Sequence, residues 1–214
     1  MMYTRTLIVS ALFFLIAVVA AVWLYSQMPA RVPVQWDRLS HVRGTMPRFW
    51  GAALPALITL ALGLLTPLLP LLSLRRFEIT LLVHVYGIVM LAIQGVLLVG
   101  GLCVLLVDAG YPLPVSTITM LGVGVLLMVL GNYMGQLRKN FFIGIRTPWT
   151  LLSETVWERT HRLGSWLFML AGLVMVIGAL IGASAWLVPT MIVAAVLIPC
   201  VYSFWIYRRL DRAV

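Results

Sequence analysis

Six apolar blocks of roughly twenty residues each, parted by shorter polar stretches, limit what this chain can fold into more than any other feature. A helix of that length crosses about 30 Å of hydrocarbon, and backbone groups in lipid must find partners within their own segment. Each block therefore predicts a membrane-spanning helix: Leu7–Ser26, Phe49–Leu72, Ile79–Val107, Val115–Gln136, Gly164–Ala183 and Trp186–Tyr207. The charged start, Met1 to Arg5, resembles that of a signal peptide, but the apolar run behind it exceeds the usual length of about 7–15 residues, so it is read as a span. Only 10% of the residues are charged, against about 25% in an ordinary soluble domain. The expected fold is an all-α integral membrane protein with six transmembrane helices, a single transmembrane domain over residues 1–214.

The basic residues set the expected orientation. With the N-terminus inside, the cytoplasmic segments carry Arg5, Arg75, Arg76, Arg138, Lys139, Arg146, Arg159, Arg162, Arg208, Arg209 and Arg212. The outer segments carry Arg31, Arg38, Arg43 and Arg48. This bias predicts N-in, C-in topology, and it accounts for the formal net charge of +9 through contact with the bilayer, without direct nucleic-acid binding. Trp23, Trp50 and Trp186 fall near predicted outer ends and Trp205 near an inner end, as interfacial aromatic belts do. Cys103 and Cys200 fall inside different spans near opposite faces, which argues against a disulfide and for ordinary buried thiols.

Two connections are long, Gln27–Arg48 outside and Leu137–Leu163 inside, and each follows the first helix of a half containing three spans. Three spans per half put corresponding loops on opposite faces, the arrangement of a 3+3 inverted-topology repeat. Within the spans, Pro55, Pro67, Pro70 and Pro199 are expected to kink or end helices, which membrane helices tolerate. His84 and Gln94 fall on one stripe of the third span. A polar stripe in lipid must face protein or a water-filled cavity, so the pair is either an interhelical hydrogen-bonding set or an intramembrane polar site.

The inner connection is the least apolar passage of a chain that is 63% hydrophobic. Asn132 lies about one turn inside the end of the fourth span, where it caps or bonds to a neighbouring helix. Phe141–Ile145 is short and β-prone, and Gly144 suits a backbone geometry or close approach that a Cβ would obstruct. Thr147 precedes Pro148 and is thereby pushed towards an extended conformation, and Trp149 suits the interface. Thr150 or Ser153 then caps a new helix with Glu154 in its first turn, where the helix dipole favours an anion. Trp157, His161, Gly164 and Phe168 share one face of that helix, which runs on into the fifth span. Glu158 stands four residues before Arg162, the favourable order for an ion pair. Arg146, Glu154, Glu158, His161 and Arg162 are thus expected at one membrane face, within reach of His84.

Catalytic and metal chemistry lack their usual patterns. Glu158-Arg-Thr-His161 fits one half of a di-metal helix motif, but a second half and further inward carboxylates are missing. No zinc-spaced cysteines, His-Glu-x-x-His, serine-nucleophile motif or phosphate-cradling glycine loop occurs. The expectation is a non-enzyme with neither metal nor cofactor.

Gly131-Asn-Tyr-Met, Asn140-Phe-Phe-Ile-Gly-Ile-Arg-Thr-Pro-Trp-Thr-Leu, Glu154, Val156-Trp157 and Thr160-His161-Arg162-Leu-Gly164 together resemble the signature of the SdpI family. The resembling region runs from about residue 115 to 207. Met28-Pro-Ala-Arg31-Val-Pro33-Val-Gln-Trp36-Asp37, followed by Gly44, resembles the domain of unknown function that often precedes that signature, here residues 1–72. Trp36-Asp37 departs from the Phe-Asn more usual there, and four arginines crowd the loop. The resemblance implies a bacterial inner-membrane protein that gives immunity to a secreted toxic peptide. It further implies a link to signalling, with a cytoplasmic repressor or other regulator drawn to the membrane. Asn132, Asn140, Gly144, Arg146, Thr147, Pro148, Trp149, Glu154, Trp157, Thr160, His161, Arg162 and Gly164 are the motif residues it implies, with Arg31, Pro33, Trp36, Asp37 and Arg43 in the outer loop. The alternative, drawn from the inverted halves and the His84 stripe, is a transporter or exporter of a small molecule, ion or peptide. Oligomeric state is not encoded in any of these features.

Overall fold

The computed structural model describes residues 2–36, 42–71, 83–140 and 143–211. Asp37, Arg38, Arg75, Arg76, Phe141 and Arg212 lie outside the described residues, as does the short Leu74–Glu78 connection. The elements in chain order are α1 (Met2–Leu24), a 3-10 turn (Tyr25–Gln27), β1 (Arg31–Trp36), β2 (Val42–Pro47) and α2 (Arg48–Leu71). They continue with α3 (Val83–Asp108), α4 (Val115–Met134), α5 (Pro148–Leu152), α6 (Glu154–Leu180) and α7 (Leu187–Asp211).

Six of these helices are long and apolar enough to cross a membrane, over Thr4–Gln27, Arg48–Leu69, His84–Asp108, Val115–Met134, Glu154–Leu180 and Leu187–Leu210. Their exposed faces carry large apolar side chains such as Leu15, Val19, Leu64, Leu170 and Val201, which suits lipid rather than water. The chain is a multi-pass membrane protein. The fifth span begins at Glu154 because polar and apolar turns form one uninterrupted helix, α6. α2 also runs through Pro55 and Pro67 without ending. Trp23, Trp50, Trp186 and Trp205 are all exposed.

The chain forms two compact units, residues 1–79 with 90–119 and residues 80–89 with 120–214. In the first, α1 and α2 pack together around Ala17, Ala56 and Leu98. The connection between them is an antiparallel hairpin, β1 against β2, with register shifts on either side of Gln35. Sequence reading placed a loop there and missed the strands. Arg31 pins the hairpin: its Nε donates to Oγ1 of Thr45 at 2.9 Å and its Nη2 to the Thr45 carbonyl at 3.3 Å. Val32 is fully buried with Leu24, Met28, Ala52 and Leu105, and it packs so closely on α2 that any Cβ at Gly51 would collide with it. Arg48 closes the base over the Tyr25 ring, 4.6 Å from its centroid.

In the second unit, α4 and α6 cross on small residues. A Cβ at Gly124 would stand 2.9 Å from the Gly172 carbonyl, and one at Gly131 would stand 2.8 Å from that of Ser165. Such close approach also brings Oγ of Ser165 within 2.6 Å of the Gly131 carbonyl, to which it donates. Close packing and interhelical hydrogen bonds hold membrane helices together where lipid removes most of the hydrophobic drive. Met120, Leu127, Phe168, Met175 and Ala195 fill the core beside this crossing.

Candidate functional site: a polar cap folded onto a membrane helix

The passage from Leu137 to Gly164 is a built element. Phe141–Ile145 was expected to be β-prone, but its described part, from Ile143, forms no strand and leads irregularly into α5. The physical reason is that side chains take its backbone donors. Asn140 accepts from the Ile143 N–H at 2.8 Å while its own amide donates to the Arg138 carbonyl at 2.8 Å. The Ile145 N–H donates to Nε2 of His161 at 3.0 Å.

Thr147 and Thr150 then start α5 with a reciprocal capping box, and Pro148 occupies the first turn, where its missing N–H costs nothing. The Thr150 hydroxyl also donates to the Ile145 carbonyl at 2.9 Å, tying the helix back to the loop. Ser153 ends α5 and caps α6 through the Val156 N–H, with Glu154 in the first turn. Both Thr150 and Ser153 therefore serve at helix starts, although Thr147 is the cap of the first.

α6 turns the motif residues inward. Trp157, Thr160, His161, Gly164 and Phe168 are all buried, the face expected from their spacing. The Trp157 indole donates to the Leu137 carbonyl at 2.7 Å and stacks on the His161 ring at 3.9 Å between centroids. Nδ1 of His161 lies 2.8 Å from the Trp157 carbonyl. A carbonyl can only accept, and the Ile145 N–H can only donate, so the ring is the neutral tautomer protonated at Nδ1. Gly144 lies directly over this ring with φ of +123°, and a Cβ there would collide with Nε2 of His161 and stand 3.2 Å from Cη2 of Trp157. At Gly164 a Cβ would stand 2.7 Å from Sδ of Met134, so that glycine seats α4. Trp149 fastens the cap to α7, its indole donating to Oγ of Ser203 and its ring 5.1 Å from that of Phe204.

The remaining motif residues point elsewhere. Asn132, Arg146, Glu154 and Arg162 are exposed, and the Asn132 carbonyl accepts from the Gln136 side chain at 3.3 Å. Arg138, Lys139, Glu154, Glu158, Arg159 and Arg162 line a polar cleft of about 620 Å³. A second hollow, of about 390 Å³ and mainly apolar, is bounded by the loop Ile143–Thr147 and by helix residues of the same unit. His84 is exposed at the start of α3, whereas Gln94 is wholly buried in the first unit, donating to Oγ1 of Thr66 at 3.2 Å. Pro33 is half-buried in β1 and Arg43 is exposed in β2; Trp36 pairs with Val42. Sequence reading missed Ser165 and Ser203, whose hydroxyls tie the cap's helices together, and Asp108, which is 7% exposed with Oδ1 unpartnered. The glycines at 124, 131 and 172 were the available signal for the first. Asp108 carried none, since it sits where a turn was expected. Among the described residues no group of three metal-ligating side chains assembles.

Residues 136–203 match the model of the SdpI/YfhL protein family, and residues 12–60 match a domain of unknown function, DUF1648. Along the chain, the stretch similar to the SdpI/YfhL model thus follows the stretch similar to DUF1648. Immunity protein SdpI of Bacillus subtilis (strain 168) is 27% identical over 209 residues, 95% of this chain and 97% of that protein. No solved structure matches the chain. The stretch matched by the SdpI/YfhL model takes in the polar cap, α5, α6 and α7 as far as Ser203, while α4, which packs on α6, lies outside it. The DUF1648 region takes in most of α1, the hairpin and the first half of α2.

Proposed function

We propose that this chain is an immunity protein of the bacterial inner (cytoplasmic) membrane, protecting the cell from a secreted toxic peptide. The observation that carries this reading is the similarity to an immunity protein, 27% identical over 95% of the chain, with the SdpI/YfhL match falling on the hydrogen-bonded polar cap. The excess of basic residues on alternate connections supports N- and C-termini in the cytoplasm. In that orientation the hairpin with Arg31 and Arg43 faces the toxin, and the polar cleft by Arg138 and Arg162 faces the cytoplasm. The cleft then offers a platform for a cytoplasmic repressor or other regulator. Coupling the hairpin to the cleft requires helices with two arrangements, each favoured by a different ligand state.

The test is survival and membrane potential of a toxin-sensitive bacterium expressing the protein, with membrane abundance measured in parallel. Wild type protects; Arg146→Ala and His161→Ala lose protection while remaining in the membrane. Full protection by both variants would remove the cap from the mechanism.

A second reading, transport of a small molecule, ion or peptide, is favoured by one observation. Oε1 of Gln94 and Oγ of Ser10 are buried inside the first unit without partners. Polar atoms of that kind within spans are costly unless they serve a pathway or a partner. Flux into liposomes that falls in Gln94→Leu would support it; flux equal in Gln94→Leu and wild type would remove it.

A further inference from the structure

The apolar hollow of the second unit, about 390 Å³, is walled by Val85, Val89, Met134, Phe168, Val196 and Cys200 and bounded on one side by Ile143–Thr147. Its volume lies within the range of sites that hold small ligands, about 300–1,000 Å³, and such sites combine apolar walls with a few placed polar groups. Tyr133, Arg146 and Thr147 supply the polar side chains of the lining, and along the apolar walls water would lack the two to four polar partners that buried water needs. An aliphatic chain needs none. Among the described residues the lining includes one cation, Arg146, which is exposed, and no acidic residue to neutralise its guanidinium. A guanidinium presents a planar fork of donors that matches a phosphate.

The walls belong to membrane-spanning helices, and the most abundant aliphatic chains around such helices are those of the bilayer itself. We propose that this hollow binds one acyl chain of an anionic phospholipid, whose phosphate is held by Arg146. His161 and Asn140 hold the backbone of the loop that forms one side, which favours a site shaped before the lipid arrives. The immunity reading shares Arg146 with this site, but the lipid is measured without toxin, so failure of one reading is distinguishable from failure of the other.

Cys200 supplies the readout, since it lines the hollow and is half-buried. The full chain carrying Cys103→Ala, which leaves Cys200 as its single thiol, is placed in vesicles of phosphatidylcholine alone or mixed with phosphatidylglycerol. Alkylation by an uncharged maleimide is then timed. Phosphatidylglycerol is expected to slow alkylation about tenfold, the scale of one charge-assisted hydrogen bond. Arg146→Gln abolishes the difference between the two lipids, and Arg146→Lys retains part of it. A thiol placed on the lipid-exposed surface, Leu197→Cys in a Cys103→Ala, Cys200→Ala background, reacts equally in both vesicles. Equal rates at Cys200 in the two lipids would overturn the anionic site. So would a lipid effect that persists undiminished in Arg146→Gln, or one that appears equally at position 197.

Discussion

Gly144 sits over the imidazole of His161, held there by the neighbouring Ile145 N–H, which donates to Nε2 of that ring. One residue supplies the space and the other the acceptor, and together they fold a polar loop down onto a membrane helix. Asn140, Thr147, Thr150, Ser153 and His161 thus satisfy backbone groups at the end of a greasy bundle.

Gly144→Ala is expected to lower stability by about 2–4 kcal/mol, combining positive-φ strain with the collision against His161. Gly135→Ala is the control, because a Cβ there meets Ser165 only at 3.4 Å and beyond. Thermal unfolding of the purified proteins in detergent separates the two; equal midpoints would mean the loop has room to move away.

The His161 ring is expected to be protonated at Nδ1 and unprotonated at Nε2. Nitrogen NMR of histidine-labelled protein reads this directly. The opposite tautomer would break both observed hydrogen bonds and disprove the seating of the loop.

Trp157→Phe keeps an aromatic ring but removes the bond to the Leu137 carbonyl together with part of a fully buried indole. A loss of about 1–3 kcal/mol follows from leaving a buried acceptor unpaired. Unfolding in detergent measures it, and a variant as stable as wild type would show that the bond contributes nothing.

Gly172→Leu should part α4 from α6, since even a Cβ there would stand 2.6 Å from Cγ of Met128. Removing only the hydroxyl in Ser165→Ala costs about 0.5–1.5 kcal/mol. A cysteine pair bridging the two helices would report the separation: cross-linking persists in Ser165→Ala and fails in Gly172→Leu.

The six spans were legible because length and apolarity suffice to specify a membrane helix, and the interior face of α6 was legible from the spacing of Trp157, His161, Gly164 and Phe168. Gly144 was legible as a close approach, though what it approached was not. The hairpin was hidden because Pro33 and the arginines break the usual strand pattern, and only Val32 among its well-described side chains is fully buried. The irregular course of Ile143–Ile145 was hidden for a different reason. β-prone residues form a strand only if another strand takes their backbone bonds, and here Asn140 and His161 take them instead. Burial of Asp108 depends on tertiary packing, of which a local reading of the turn carries no trace.

The most direct test compares Gly144→Ala and Arg146→Gln for membrane abundance and for protection of a toxin-sensitive bacterium. If the cap is a built element of an immunity protein, Gly144→Ala loses abundance and protection together, while Arg146→Gln keeps abundance and loses protection. Wild-type abundance and full protection in both variants would contradict it.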